Sequence, residues 1–364
     1  MRLFLHDFTP VAPRFRTRQE DALEWLVQAH AHAGHGSPER LRREARRFGC
    51  SPERIAARGH ELEDFKHLDW DRMRVYPGGG MEARTRFFAE AALGAMPRFY
   101  PPDPDGALAP EAIVHVTCTG YDSPSAVQRW VALKGWQERT QVFHLYHMGC
   151  YAAMPALRAA RAFRGPVDVI HTELCTLHLD LAAASPEGWV QQSLFADGLI
   201  RYRAGREAPG GARSLEVLAV RDVILPDSAE LMKWTAADRC MLMVLDREIP
   251  ERIMRGLRNA LEGLLGGADA VNRMREQAVW AIHPGGPRIV DEIRRVLELD
   301  AAQVSSSLEV LREHGNMSSA TLPHVWHHLL DKAGTGAGTP VVSLAFGPGL
   351  TISGALMKVT EGAA

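Results

Sequence analysis

The sequence predicts an α/β fold with covered sheets. Short apolar runs of strand character alternate with longer segments of helical spacing through both halves of the chain. The best of these runs, Ala112–Val116, is apolar on nearly every residue, as a strand buried on both faces is. With 364 residues, 46% of them apolar, the chain has ample material for a large core.

Taken in order, Asp21–His32 places Leu23, Leu26, Val27 and Ala31 at helical spacing, and Pro38–Arg47 is a second, arginine-rich helix closed near Gly49. Pro77–Gly80 is a loop and Met81–Met96 a third helix. Tyr100–Gly106 holds too many prolines for a regular element. Strands at Ala112–Val116, Gln141–Tyr146 and Val167–His171 alternate with helices at Ser125–Lys134 and Ala152–Phe163. Gly205–Arg213 shifts composition toward Gly, Pro, Ala and Arg and marks a boundary, dividing the chain into 1–212 and 213–364. Beyond it, Leu215–Val220, Met241–Leu245, Ala278–Ile282, Val341–Phe346 and Gly354–Val359 are strands, and Arg252–Leu265 and Pro287–Leu299 helices.

Several functional classes are excluded or disfavoured. A net charge of −2 lacks the basic excess of a nucleic-acid binder. No run of about 18 apolar residues is present, so a membrane span is not expected. The first residues lack a secretory leader, and five scattered cysteines do not form a disulfide framework; a cytoplasmic protein with reduced thiols is expected. Nothing calls for a cofactor or a metal. His324 and His328 stand four apart with His327 between them, but without a neighbouring glutamate or third ligand they suggest a surface helix. His171-Thr172-Glu173 and His178-Leu179-Asp180 invite a metal reading too, although support of a cavity is preferred. Gly334–Gly338 precedes a strand, whereas a dinucleotide loop follows one, so it is a flexible turn.

Three segments carry chemistry: His147-Met148-Gly149-Cys150, Trp280–Pro287 and Gly315–Ala320. Cys150 lies between a strand and a helix, where free N–H groups and the helix dipole favour a thiolate. His283, ahead of Pro-Gly-Gly-Pro, offers an imidazole that can take the thiol proton and form an ion pair. Asn316, after a glycine, offers a carboxamide N–H that can face an oxyanion without adding charge. Each alone has a structural reading: a buried cysteine, a core histidine, a turn asparagine. Cys118 and Cys175, in or beside apolar strands, are expected to pack the core.

Together with Ala345–Thr351, these segments resemble the motifs of the chalcone synthase-like type III polyketide synthases, over about residue 47 to the C-terminus. The resemblance implies a thiolase-type fold of two similar halves, layered α-β-α-β-α, in a homodimer. It also implies that Cys150 carries the acyl group while His283 and Asn316 form the oxyanion site. Phe195 matches a gatekeeper phenylalanine, Ser318 a cavity-lining serine, and Phe346–Gly349 the loop shaping the cavity wall. Thr119 falls in the segment Thr117–Gly120, which faces the same cavity. Ser123 aligns with a residue that reaches into the partner subunit's cavity.

The departures are specific. The second gatekeeper phenylalanine is Met243, whose flexible thioether should admit a longer or differently shaped chain. The glutamate base of related enzymes that join two full acyl chains without decarboxylation is replaced by Ser123-Pro124, with Asp122 adjacent. The basic residues expected just before Arg58 are Ala56 and Ala57. The cluster Arg40, Arg42, Arg43, Arg46 and Arg47 could dock an acidic carrier protein, although a solvated helix face is the simpler account.

The resulting expectation is an acyltransferase that makes C–C bonds by Claisen condensation of acyl-CoA or acyl-carrier-protein thioesters, giving an α-pyrone or resorcinol-type product. Alternatives are a stand-alone ketosynthase joining two carrier-bound chains, a Cys-His-Asn thioester hydrolase, and a non-catalytic partner subunit.

Overall fold

A computed structural model describes residues 2–100, 109–182, 184–332 and 335–362. The expected loop at Pro101–Gly106 and Gly334 of the expected Gly334–Gly338 turn lie outside the described residues. In the first half, strands β1 (Phe4–Val11), β2 (Phe15–Arg18), β3 (Ala57–His60), β4 (Ala112–Thr117), β5 (Gln141–Tyr146), β6 (Val167–Leu174) and β7 (Asp197–Gly205) are interleaved with helices α1 (Gln19–His32), α2 (Pro38–Phe48), α3 (Met81–Phe99), α4 (Ala126–Leu133), α5 (Ala153–Ala160) and α6 (Pro186–Leu194). The second half contributes β8 (Arg213–Ile224), β9 (Met232–Ala236), β10 (Met241–Leu245), β11 (Val279–Ile282), β12 (Pro340–Gly347) and β13 (Thr351–Glu361), with α7 (Ile249–Leu265), α8 (Ala268–Gln277), α9 (Pro287–Val296), α10 (Ser305–His314) and α11 (Thr321–Asp331).

Nine strands form one sheet in the order β11-β12-β13-β8-β1-β7-β6-β4-β5. β4 pairs parallel with both β5 and β6, and β11 parallel with β12; β7, β1, β8 and β13 run antiparallel to their neighbours. The two halves meet at the short pairing of Phe4 and Leu5 with Glu216 and Leu215.

Side-chain alternation sorts the strands into layers. Ala112, Val114 and Val116 of β4 and Val341 and Ala345 of β12 face a common core with Met154 and Leu157 of α5 and Leu322, Trp326 and Leu329 of α11. Ile113, on the other face of β4, packs under α1, α3 and α4. Val342, Leu344 and Phe346 of β12 pack under α7 and α9. The order is therefore helices, sheet, central helices, sheet, helices. α5 fits between the sheets because its buried positions are mostly small: Ala153, Ala156 and Ala160 beside Met154 and Leu157. α11 presents Leu322, Val325, Trp326 and Leu329 at i, i+3, i+4 and i+7, and each such buried side chain contributes about 1.5–3 kcal/mol.

This corrects one expectation. The helix bearing His324 is a core helix: His324 is buried and its Nδ1 bonds the Ala320 carbonyl at 2.8 Å, while His328 pairs with Glu309. No group of metal-ligating side chains occurs among the described residues, and no helix there is long and apolar enough to cross a membrane.

Candidate active site

The thiol sits on a turn compressed from outside. After β5 the chain passes through left-handed conformations at His147 (φ 63°) and Gly149 (φ 76°), makes one 3-10 turn over Gly149–Tyr151, and enters α5. The Phe346–Gly349 turn between β12 and β13 presses on this segment. A Cβ on Gly149 would lie 2.6 Å from Pro348 Cδ, and one on Gly347 would lie 2.1 Å from the Tyr151 ring. Only glycine fits either position. Phe346 itself points into the β12–α7 core, so this loop supports the cysteine turn more directly than it lines a cavity with that side chain.

His283 follows β11, its N–H held by the Leu344 carbonyl at 2.7 Å. Pro-Gly-Gly-Pro then turns the chain so that Gly285 lies under the ring; a Cβ there would stand 3.5 Å and 3.6 Å from His283 Cδ2 and Nε2. The imidazole is 1% exposed, and neither ring nitrogen has a hydrogen-bond partner.

Asn316 is fixed from both sides. Its N–H donates to the Leu194 carbonyl and its carbonyl accepts from Ala196 N–H, both at 2.9 Å, so Phe195 bridges alongside it. Its Oδ1 accepts from Ser318 N–H at 2.9 Å, which leaves the amide NH₂ as the outward group; Nδ2 reaches the Gly285 carbonyl at 3.3 Å. Ser318, in a left-handed conformation (φ 49°), turns its hydroxyl to within 3.9 Å of Cys150 Sγ. A chain of contacts thus links Cys150 through Ser318 and Asn316 to Gly285, whose N–H donates to the His283 carbonyl at 2.9 Å.

The six expected cavity residues divide. Phe195 and Met243 cluster with Cys150, alongside Ile55, Leu194, Leu311, Cys50 and Cys175, and Ser318 touches the sulfur. Thr119 is buried one layer away, its hydroxyl donating to Glu173 at 3.0 Å. Ser123 is exposed, and Phe346 belongs to the neighbouring core cluster. Asp122 is held by Arg129 at 3.2 Å.

Sequence reasoning undervalued Glu173. Fully buried on β6, it accepts from Cys118 N–H at 3.0 Å, from Thr119 and from the Ser319 hydroxyl. Two carboxylates, Asp168 and Glu173, inside one buried strand were the available signal, because a buried charge must have partners.

Electrostatics also departs from expectation. Burial pushes the Cys150 thiol up to about 12; the Ser318 hydroxyl and Asn316 amide pull the other way, and Glu173 adds to the rise. Burial holds His283 down to about 3. Burial thus favours the neutral form of each group, opposing the pull of the turn's N–H groups on the thiol.

Comparisons with known proteins agree with this geometry. A profile of the chalcone and stilbene synthases, C-terminal domain, matches residues 216–360. Bisdemethoxycurcumin synthase from Oryza sativa subsp. japonica is 30% identical over 302 residues, 77% of this chain and 72% of that protein. Type III polyketide synthase A from Arabidopsis thaliana is 28% identical over 291 residues, 76% of this chain and 72% of that one. Probable polyketide synthase 1 from Dictyostelium discoideum is 30% identical over 259 residues, 68% of this chain but only 8% of that far longer protein. Among solved structures, a polyketide synthase of the brown alga Ectocarpus siliculosus superposes with a TM-score of 0.83 at 21% identity, covering 98% of each chain. The 1,3,6,8-tetrahydroxynaphthalene synthase of Streptomyces coelicolor A3(2) gives 0.81 at 23%, covering 98% of this chain and 99% of the other. At those identities the likeness establishes the fold, which is the thiolase type.

Proposed function

The chain belongs to the type III polyketide synthases, and from that premise we propose that it builds a polyketide by decarboxylative Claisen condensation on Cys150. The observation that carries the reading is the contact chain Cys150–Ser318–Asn316–Gly285–His283, ending at a residue whose two ring nitrogens are buried and unpartnered.

In the proposed cycle, an acyl thioester enters and its carbonyl oxygen accepts from the Asn316 amide and the imidazole. The Cys150 sulfur attacks and the carrier thiol departs, taking the proton that the sulfur loses. A malonyl thioester then releases CO₂; the enolate oxygen occupies the same donors, and its carbon attacks the acyl carbonyl, breaking the bond to Cys150 Sγ, which leaves as a thiolate and takes the elongated chain from its carrier thiol for the next round. Repetition lengthens the chain. Attack of an enol oxygen on the thioester carbonyl gives an α-pyrone, and an intramolecular aldol a resorcinol type. Residues 1–212 supply the nucleophile and 213–364 the oxyanion donors. A homodimer fits the edge of the sheet: among the described residues β5 is an edge strand and exposes Phe143.

The non-decarboxylating alternative requires a base near Ser123, and Asp122 is engaged by Arg129. Incubation with octanoyl and carboxyl-labelled malonyl thioesters tests the choice. Labelled CO₂ stoichiometric with new C–C bonds supports the proposal. A longer product without CO₂ supports the rival, and free octanoate alone supports hydrolysis.

A further inference from the structure

Around Ile55, beside the thiol, lie five exposed arginines that form no ion pair among the described residues, Arg47 stacking on Phe48. Ile55 is one wall of the site, buried against Leu194, Phe195 and Leu311, next to Cys150. Its outer side meets three elements. α2 leads into it through Gly49 and Cys50, α10 is tied to it by the Ala56 N–H to Arg312 carbonyl bond at 2.7 Å, and α9 by the Arg54–Asp291 pair at 3.2 Å. On α2, Arg40 and Arg42 are occupied by Glu44 at 2.8 Å and Glu24 at 2.7 Å. Arg43, Arg46 and Arg47, at i, i+3 and i+4, point to solvent and form no ion pair among the described residues; nor do Arg288 on α9 and Arg312 on α10. Glu39, Glu53 and Glu313 are exposed carboxylates beside them that lack an arginine partner, three against five arginines, so the strip is positive overall.

The inner side of the wall is poor in available charge. Ala56 and Ala57 carry none. Arg58 is 5% exposed, and its Nε and Nη1 serve Gln19 and the Gln192 and Phe195 carbonyls at 2.7–2.8 Å. Small phosphate ligands need several donors converging on one point. Here the available cations are spread over three elements, on α2 alone across about 6 Å of helix. That spread matches the face of a protein.

We propose that the acyl donor is an acidic carrier protein, docked on Arg43, Arg46, Arg47, Arg288 and Arg312, whose phosphopantetheine arm passes the Ile55–Ala56 wall to Cys150. The inference rests on acylation of Cys150 as proposed above. The transfer itself is a thioester exchange: the acyl carbon forms its bond to Cys150 Sγ, its bond to the pantetheine sulfur breaks, and that sulfur leaves with the proton.

The test uses the full chain and two donors bearing the same octanoyl group, an acidic acyl carrier protein and free pantetheine, with Cys150 acylation followed by intact mass. Wild type is expected to react faster with the carrier-borne donor, by a margin that shrinks as salt rises from 0.05 to 0.5 M. With Arg43→Glu, Arg46→Glu and Arg47→Glu together, the carrier-to-pantetheine rate ratio should fall about tenfold or more, and with the three glutamine replacements less steeply, because like charge repels where neutral side chains merely cease to attract. A wild-type ratio near one, or a ratio unmoved in both variants, overturns the docking proposal while leaving acylation intact. Failure of every donor to acylate Cys150 overturns both readings.

Discussion

At Cys150 two influences oppose one another. The turn supplies backbone N–H groups that favour a thiolate, while burial pushes the thiol up to about 12. Alkylation of Cys150 by iodoacetamide should therefore climb about tenfold per pH unit from pH 7 to 9, as the thiolate fraction does for so high a value. Peptide mapping would follow it; a plateau below pH 8 would mean an ion pair already exists at rest. Asn316→Ala removes one oriented donor and should lower CO₂ release from malonyl thioester by about 10²–10³. Cys150→Ala should eliminate the acyl adduct with the fold intact. The three motif residues were legible because each needs small neighbours that let the backbone turn sharply, and such runs stand out in a sequence. Their ionisation was not, because it depends on dehydration by Leu194, Phe195, Leu311 and Met243, which come from distant segments.

Among the elements, the turn between β12 and β13 has the least room to change. Gly347→Ala would drive a Cβ into the Tyr151 ring, and overpacking of this kind costs about 1–3 kcal/mol. Because Tyr151 follows the nucleophile, the variant should lose Cys150 acylation rate out of proportion to its drop in melting temperature. Equal losses would mean the loop only stabilises. The apolar strands β4, β5, β11 and β12 were evident from composition. β1 and β7 were not: His6 and Asp7 interrupt the first, where Asp7 takes φ 50° and the register shifts, and Arg201 and Arg203 punctuate the second. Arg203 belongs in a buried sheet because Asp168 on β6 receives it at 2.7 Å, a pairing visible only once the strands are side by side. α11 was mistaken for a surface helix because its histidines outweighed its Leu322, Val325, Trp326 and Leu329 stripe.

Across the whole molecule, seven histidines are buried and pushed toward the neutral form: His30 downward, His60 and His178 down to about 4, His115, His171, His283 and His324 to about 3, in each case chiefly by burial. The unfolded chain binds a proton at each near 6.5, so unfolding takes up protons below that value and stability falls as pH drops from 6.5 toward 4. Asp197 works in the opposite sense. Burial raises it to about 7, so its share of stability is lost as pH rises through 7. Calorimetry should therefore place the highest melting temperature near pH 6.5–7, with a steep acid flank; a melting temperature that is flat from pH 7 to 5 would contradict the buried neutral histidines. The α/β class with covered sheets was legible from the alternation of elements and its layering only through the family resemblance, whereas the continuity of the sheet between β1 and β8 rests on only two residue pairs.

The account depends on one sulfur accepting the acyl chain. Tryptic mapping of the protein after brief exposure to an octanoyl thioester tests this most directly. An adduct on the Cys150 peptide, absent from those of Cys50, Cys118, Cys175 and Cys240 and discharged by malonyl thioester with release of CO₂, is the predicted result. An octanoyl group on any other cysteine, or on none while product still forms, would contradict it.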